Sequence, residues 1–225
     1  AEGPKDELEG KLPDDGTICF RETAGFGAAM DLYQARKYVE AKAMFAAIKT
    51  RFSPVRALEN NPASLAGFYE LECLRRTGDL DGLATALQTF SKDALTRETQ
   101  QRQLELYLLW DSVRTKSWDR LDQLAKERAN SRLPGDQRAQ VAYCHGLAME
   151  GLGRPREALS VYQIALTADA GASEEIARQA ALRILAIHKA APSRSQADLA
   201  EAAAMAHLFE ISLGAGTPLP AEYKE

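Results

Sequence analysis

The sequence predicts an all-α fold, and three observations carry this prediction. Residues that favour helices, namely Ala, Leu, Glu, Gln, Arg and Lys, dominate the chain. Apolar residues recur at positions i, i+3 and i+4 along most of its length, which is the spacing of amphipathic helices. Strand signals are scarce, because no stretch sustains an apolar–polar alternation and no Asn-Gly or Asp-Gly pair joins two β-branched runs.

The first half of the chain predicts five helices, in the order Ala24–Ala35, Val39–Arg51, Leu65–Thr77, Leu80–Phe90 and Glu98–Thr115. The first has an apolar face that includes Ala28 and Leu32. The second stops before Pro54, because the residue before a proline disfavours helical angles. The third ends at Gly78 and the fourth begins directly after that turn, while the fifth carries a leucine stripe that starts at Leu104.

The second half predicts five more helices, in the order Trp118–Ala129, Gln137–Leu152, Pro155–Ala168, Ser173–Ala190 and Gln196–Leu213. The sixth helix is closed by Pro134, and the seventh ends at Gly153. The eighth has Pro155 in its first turn, where the missing N–H costs no hydrogen bond. The ninth starts at Ser173, a predicted N-cap without a capping box, and the tenth ends before Gly214. Ten helices joined by short turns predict five antiparallel pairs.

A sequence pattern recurs around the turns inside these pairs. In the fourth pair a small residue, Gly146, precedes a short turn, and Ala158 and the aromatic Tyr162 follow it. The first pair has the same order, with Ala41 and then Phe45 after the turn. This pattern resembles the tetratricopeptide repeat (TPR) family. We expect Gly146 and Ala158 to let two helices approach closely while Tyr162 fills the space beside them.

The resemblance is weaker in the other pairs, and alternatives remain open. Leu71 and Leu109 replace the small residue in the second and third pairs, which we expect to be splayed. The second helices start at intervals of 42, 38 and 37 residues, counted at Tyr38, Leu80, Trp118 and Pro155. The family's interval is about 34 residues, so a HEAT-like array is an alternative, and an irregular helical domain is another. The fifth pair has a Pro192–Ser195 link that fits neither motif and is a candidate capping element.

The resemblance implies a right-handed α-α superhelix of about five antiparallel helix pairs, a TPR-like solenoid over residues 23–213. Residues 1–22 are predicted to be a flexible acidic segment, because residues 1–16 hold six acids and two bases. An acidic interaction arm is the alternative interpretation of that segment. Residues 214–225 are predicted to form a C-terminal tail.

Composition and motifs exclude several classes of function. The formal net charge is -4 and lies within the first 16 residues, so a nucleic-acid binder is not expected. No run is long and apolar enough for a transmembrane segment. The chain lacks a phosphate loop, a nucleophile elbow, an HExxH motif and a clustered carboxylate pair. Its cysteines and histidines have no metal-ligand spacing. We therefore expect no enzyme activity, no catalytic residue, no metal site and no cofactor.

The chain starts at Ala1 rather than at Met. A cleaved signal peptide would explain this start and favours an exported or periplasmic bacterial protein. The alternatives are a residue left by an expression tag and a cytoplasmic protein. The oligomeric state stays open.

The resemblance implies a non-enzymatic scaffold that binds a peptide or a partner protein in a concave groove lined by the first helix of each pair. The groove positions that it implies are Phe26, Met30, Tyr33, Phe68, Glu72, Arg75, Arg76, Trp110, Arg114 and Tyr143. Further positions along the same helices are Gln34, Leu106, Gln140, Leu147 and Glu150. Aromatic residues and arginines are enriched at interface hot spots.

We expect Arg75, Arg76 and Arg114 to pair with carboxylates of an acidic or C-terminal peptide. Replacing Arg75 and Arg76 with Glu is then expected to weaken binding without unfolding the protein. An apolar stripe at helical spacing is also typical of a core, which is the alternative for Phe26, Leu106 and Leu147. Two other functions stay open, namely a structural subunit of an exported or cell-envelope assembly and a helical accessory domain of a larger enzyme.

Overall fold

The computed structural model describes residues 25–55, 61–91, 95, 97–169, 171–213 and 217–224. These residues form ten α-helices, with no β-strand among them: α1 (Phe26–Gln34), α2 (Tyr38–Phe52), α3 (Pro62–Arg76), α4 (Leu80–Gln88), α5 (Glu98–Arg114), α6 (Trp118–Ala129), α7 (Gly135–Gly151), α8 (Pro155–Ala168), α9 (Glu174–Ala190) and α10 (Gln196–Leu208). A π-helical turn, Phe209–Leu213, continues α10, and 3-10 turns occupy Ser53–Val55 and Ala221–Tyr223. The all-α prediction is confirmed.

The chain divides into two compact units, residues 1–102 (unit 1) and 103–225 (unit 2), with the division inside α5. In unit 1, α2 packs against α1 and α3, and α3 packs against α4. In unit 2, α6 to α10 each pack against the next helix in sequence, and α7 also packs against α9. These helix contacts lie within one unit and join helices that are first or second neighbours along the chain.

Four helix pairs are closed by the same three-residue turn. Its middle residue has a positive φ in each case, at Arg36 (63°), Gly78 (75°), Lys116 (53°) and Gly153 (75°). In the α7–α8 turn the N–H of Arg154 donates to the carbonyl of Met149 at 2.8 Å, and that of Gly153 donates to the carbonyl of Glu150 at 3.0 Å. The other three turns have the same two hydrogen bonds, which define the Schellman motif. This turn recurs at the intervals of 42, 38 and 37 residues that the sequence predicts.

Close packing in unit 2 depends on two glycines. A Cβ at Gly146 would lie 2.4 Å from the Cε1 atom of Tyr162, so α7 and α8 approach as closely as the sequence predicts. A Cβ at Gly151 would lie 2.3 Å from the Trp118 ring of α6, a contact that the sequence pattern did not indicate. Ala158 and Tyr162 have no exposed surface. Both sides of α7 therefore need a residue without a side chain.

Serines begin the last two helices. Ser173 is the N-cap residue of α9 and has no capping box, as predicted, although its side chain makes no capping hydrogen bond. Ser195 forms a full capping box with Asp198 at the start of α10. Hydrogen bonds from the Ser195 backbone and side chain lower the pKa of Asp198 to about 2. The Pro192–Ser195 link thus ends in a well-defined helix start.

The second and third helix pairs, in which a leucine replaces the small residue, close with the same turn as the fourth pair. Leu71 and Leu109 are both buried, and their hairpins close through the same hydrogen bonds as the α7–α8 hairpin. The predicted acidic segment, residues 1–22, lies outside the described residues. Within the predicted C-terminal tail, residues 217–224 are described, and Leu219 is buried.

Candidate functional sites

Unit 1 contains an aromatic–arginine cluster, formed by Tyr33, Tyr38, Tyr69 and Arg76. The ring of Tyr33 contacts Tyr38 and Tyr69 edge to face, with centroids 5.4 and 5.2 Å apart. The Arg76 guanidinium lies 5.5 Å from the centroids of both Tyr33 and Tyr38. Its Nε donates a hydrogen bond of 2.9 Å to the Tyr33 hydroxyl, which joins α3 to α1. Cation–π contacts and the hydrogen bond therefore fix the Arg76 side chain against α1.

An ion pair lies beside this cluster in the interior of unit 1. Arg75 donates to both carboxylate oxygens of Glu72, from Nε at 3.1 Å and from an η nitrogen at 2.9 Å. The Nε of Arg76 lies 3.6 Å from the same carboxylate. Arg75 is only 4% exposed. Burial, with a further contribution from Glu72, raises the pKa of Tyr33 far above its ordinary value.

The positions that the sequence assigned to a groove in unit 1 mostly face inward. Phe68, Glu72 and Arg75 are buried, and the others are partly buried, namely Phe26, Met30, Tyr33 and Arg76. Phe26, Met30 and Tyr33 pack against the apolar core around Phe45. For Phe26 this agrees with the alternative prediction of a core residue. Because Arg75 is bonded to Glu72 inside the unit, its replacement by Glu would place two carboxylates together there. The expectation that this change leaves the fold intact is therefore revised.

Unit 2 holds two of the predicted aromatic groove residues in a buried amide network. Gln103 and Gln140 exchange reciprocal side-chain hydrogen bonds of 2.9 Å between α5 and α7. The Nε1 of Trp110 donates to the same Gln140 oxygen at 3.0 Å. The Tyr143 ring lies 6.1 Å from that of Trp110, and burial raises the pKa of Tyr143 well above its ordinary range. Trp110 and Tyr143 are thus interior groups.

The remaining predicted positions differ in exposure. Arg114 is exposed, and its η nitrogen donates to Asp111 at 2.8 Å. Glu150 accepts hydrogen bonds from the Tyr162 hydroxyl at 2.5 Å and from the Nε of Arg183 on α9 at 2.7 Å. The three other positions range from buried to exposed, namely Leu106 (buried), Leu147 (partly buried) and Gln34 (exposed).

A cleft that the sequence did not indicate lies in unit 2, between α9, α10 and the segment 217–224. Its volume is about 810 Å³. One face of α10 forms a wall of small and apolar side chains that includes Leu199, Ala203 and Ala206. Leu199 is 48% exposed. The i, i+3, i+4 spacing of this wall is visible in the sequence, but nothing there distinguishes an open face from a buried one.

The segment 217–224 lies along α9 and borders this cleft. Nε of Arg178 donates to the carbonyl of Leu213 at 3.1 Å, and Nζ of Lys189 donates to the carbonyl of Glu222. Between these two points Leu219 is only 3% exposed. A non-helical stretch of this chain, followed by the 3-10 turn, therefore already packs here through one leucine anchor.

His188 of α9 lines the cleft and is 2% exposed. Its Nδ1 lies 3.6 Å from an oxygen of Asp198, and its Nε2 lies 3.4 Å from an oxygen of Glu201. Neither approach is a hydrogen bond, and Nε2 has no hydrogen-bond partner within the described part of the chain. A buried nitrogen without a partner is costly in a stable fold and indicates a group that a ligand or a solvent molecule satisfies.

No protein family model matches the chain, and neither a curated protein nor a solved structure matches it. Within residues 25–55, 61–91, 97–169 and 171–213, no group of three or more His, Cys, Asp and Glu side chains is arranged to hold a metal ion. No helix in the described chain has the length and apolar character that crossing a bilayer requires.

Proposed function

We propose that this protein is a non-enzymatic interaction scaffold, built as a TPR-like helical solenoid, that binds an extended segment of a partner protein. The observation that carries the proposal is the cleft between α9 and α10. Its edge already holds a stretch of the chain itself that is non-helical around the buried anchor Leu219. A surface that packs one non-helical segment of this chain has the apolar character to pack an extended segment of a partner beside it.

Contacts between first helices of successive pairs support a repeat architecture inside each unit. In unit 1, Arg76 of α3 binds Tyr33 of α1, one repeat earlier in the sequence. In unit 2, Gln103 and Gln140 are separated by 37 residues, the spacing of their two turns. Inside each unit the first helix of one pair thus touches the first helix of the next, α1 with α3 and α5 with α7, as expected where one pair cannot bury its apolar face alone.

The open surface for a partner lies at the cleft rather than at the groove positions that the resemblance to the TPR family implies. Phe68, Arg75, Trp110 and Tyr143 are interior groups with partners of their own. The α10 wall of the cleft keeps apolar surface open instead, most of all at Leu199. A partner segment laid along this wall buries that surface, which provides the driving force for binding.

Selection from a library of random 12-residue peptides tests this function. We expect immobilised protein to enrich peptides with apolar anchors, and labelled copies to bind in fluorescence-polarisation titrations. Ala203→Glu places a charge on the cleft wall and is expected to weaken binding about tenfold or more. Ala204→Glu is the matched control, because the neighbouring alanine is also exposed on α10 but does not line the cleft. The absence of enriched peptides, or equal affinity for both variants, would refute the proposal.

A further inference from the structure

From the charges around the cleft, we infer that its partner is an acidic segment with apolar side chains beside the carboxylates. The segment lies in one direction, with its carboxylates at the α9–α10 turn and its apolar side chains along α10. This inference rests on the proposed function, because it names the chemistry of the partner that the cleft binds.

Three cations gather at the end of the cleft near the α9–α10 turn. Lys189 lies in the last turn of α9, and Arg194 lies in the turn itself. The hydrogen bond from Lys189 to the carbonyl of Glu222 brings Lys224, two residues further on, to the same end. Arg194 and Lys224 are exposed and form no ion pair with another described residue. Both guanidinium and ammonium groups are therefore open to a partner's carboxylates.

The acidic residues around the cleft leave the cations in excess at this end. Glu222 is the one carboxylate there among the lining residues, beside three cations. Asp198 is bound by Arg156 of α8, and Glu201 is bound by Gln163 of α8, and neither residue lines the cleft. Glu210 lines the opposite end of the cleft, about 16 Å along the helix axis from Leu199. The cleft is thus basic at one end and acidic at the other, which sets the direction of a bound segment.

The floor and wall between these ends fit an extended backbone. The imidazole of His188 forms part of the floor, and its Nε2 is covered. Ala202, Ala203 and Ala206 form a wall of small side chains, over which a backbone approaches closely, and Leu199 gives an apolar contact. One segment can therefore cover the apolar wall while its carboxylates meet the cations at the end of the cleft.

The test uses the peptides selected for the proposed function and two charge-neutralising substitutions. Arg194→Gln and Lys224→Gln together are expected to weaken binding about tenfold at low salt. Amide copies of the peptides, with Gln for Glu and Asn for Asp, should bind the native protein about tenfold more weakly than the original peptides do. The double variant should bind the amide copies and the original peptides with similar affinity. Arg120→Gln is the matched control, because Arg120 is an exposed arginine of unit 2 outside the cleft.

A photo-reactive residue placed beside the peptide's carboxylates tests direction. It should cross-link near Arg194, and one placed at the far end should cross-link near Glu210. Peptides that lose affinity for Ala203→Glu but not for the double variant would overturn this inference and leave the proposed function standing. Failure to select any peptide would refute the proposed function itself. Cross-links in the reversed order would overturn the assigned direction.

Discussion

Replacing Gly146 with Ala should destabilise unit 2, although alanine is the better helix former. The added Cβ would lie 2.4 Å from Cε1 and 2.6 Å from Cζ of the Tyr162 ring. This ring has no exposed surface, and its hydroxyl is bonded to Glu150, which Arg183 also holds. The ring cannot move aside without breaking that network. Overpacking of this kind costs about 2–3 kcal/mol, and the helix propensity of alanine offsets about 1 kcal/mol.

The expected net loss is about 1–2 kcal/mol, a decrease in Tm of roughly 3–6 °C. Tryptophan fluorescence is a suitable probe, because both tryptophans of the chain, Trp110 and Trp118, lie in unit 2. Gly27→Ala in α1 is the matched control, since a Cβ there meets nothing within 4 Å. By circular dichroism this control should keep or raise the stability of unit 1.

A second change separates steric conflict from any other effect of the alanine. Tyr162→Leu removes the ring edge, so in that background Gly146→Ala should cost much less than in the native protein. The difference between the two backgrounds measures the conflict itself. An unchanged or raised midpoint for Gly146→Ala alone, with Tyr162 intact, would refute the close approach of α7 and α8.

Three further outcomes are expected. Lys116 and Gly153 both have a positive φ, which glycine adopts more easily than lysine. In thermal melts Lys116→Gly should therefore stabilise unit 2 by about 1 kcal/mol, and Gly153→Lys should destabilise it by about the same amount. Changes in stability of the same sign for the two variants would contradict this. Arg75→Met removes the bidentate partner of Glu72 and should cost unit 1 about 3 kcal/mol or more in circular-dichroism melts, which an unchanged Tm would exclude. Burial, with Glu72 nearby, raises the pKa of Cys73 to about 12. This thiol should therefore resist iodoacetamide in the native protein at pH 8, as mapped by mass spectrometry, and rapid labelling of the native protein would contradict its burial. Its contribution to the free energy of unfolding is full below about pH 9 and should be lost as the pH rises towards 12.

Helix ends could be predicted from the sequence because local chemistry sets them. Gly78 and Gly153 take the positive φ that ends a helix in a Schellman motif, and Pro155 begins the next helix without losing a hydrogen bond. Arg36 and Lys116 adopt the same conformation without being glycine, so the shared turn is visible only in the structure. The spacing of the repeat was predictable even where its turn residue was not.

The candidate site could not be predicted in the same way, because exposure depends on tertiary packing. Phe68 and Trp110 occur at helical spacing among apolar neighbours, a pattern that fits a groove and a core equally well. The structure buries both, while Leu199 on a comparable stripe of α10 stays open. Whether an apolar stripe is buried or exposed depends on whether another helix packs on it. The sequence of the stripe alone does not show this. Nothing in the sequence marks His188 either, since the carboxylates near it on α10 follow ten or more positions later.

Buried polar residues fix the register between successive first helices of unit 2, which the periodicity of apolar residues does not determine. Gln103 and Gln140 hold equivalent places in α5 and α7, and each amide satisfies the other with two hydrogen bonds. An apolar pair at these positions would tolerate sliding of one helix along the other, whereas the amide pair is satisfied at a single register. Glu150 and Arg183 make a comparable connection from α7 to α9. Successive first helices of unit 2 are therefore held at fixed levels by polar contacts, and this fixed stacking keeps α9 in place as the floor of the cleft.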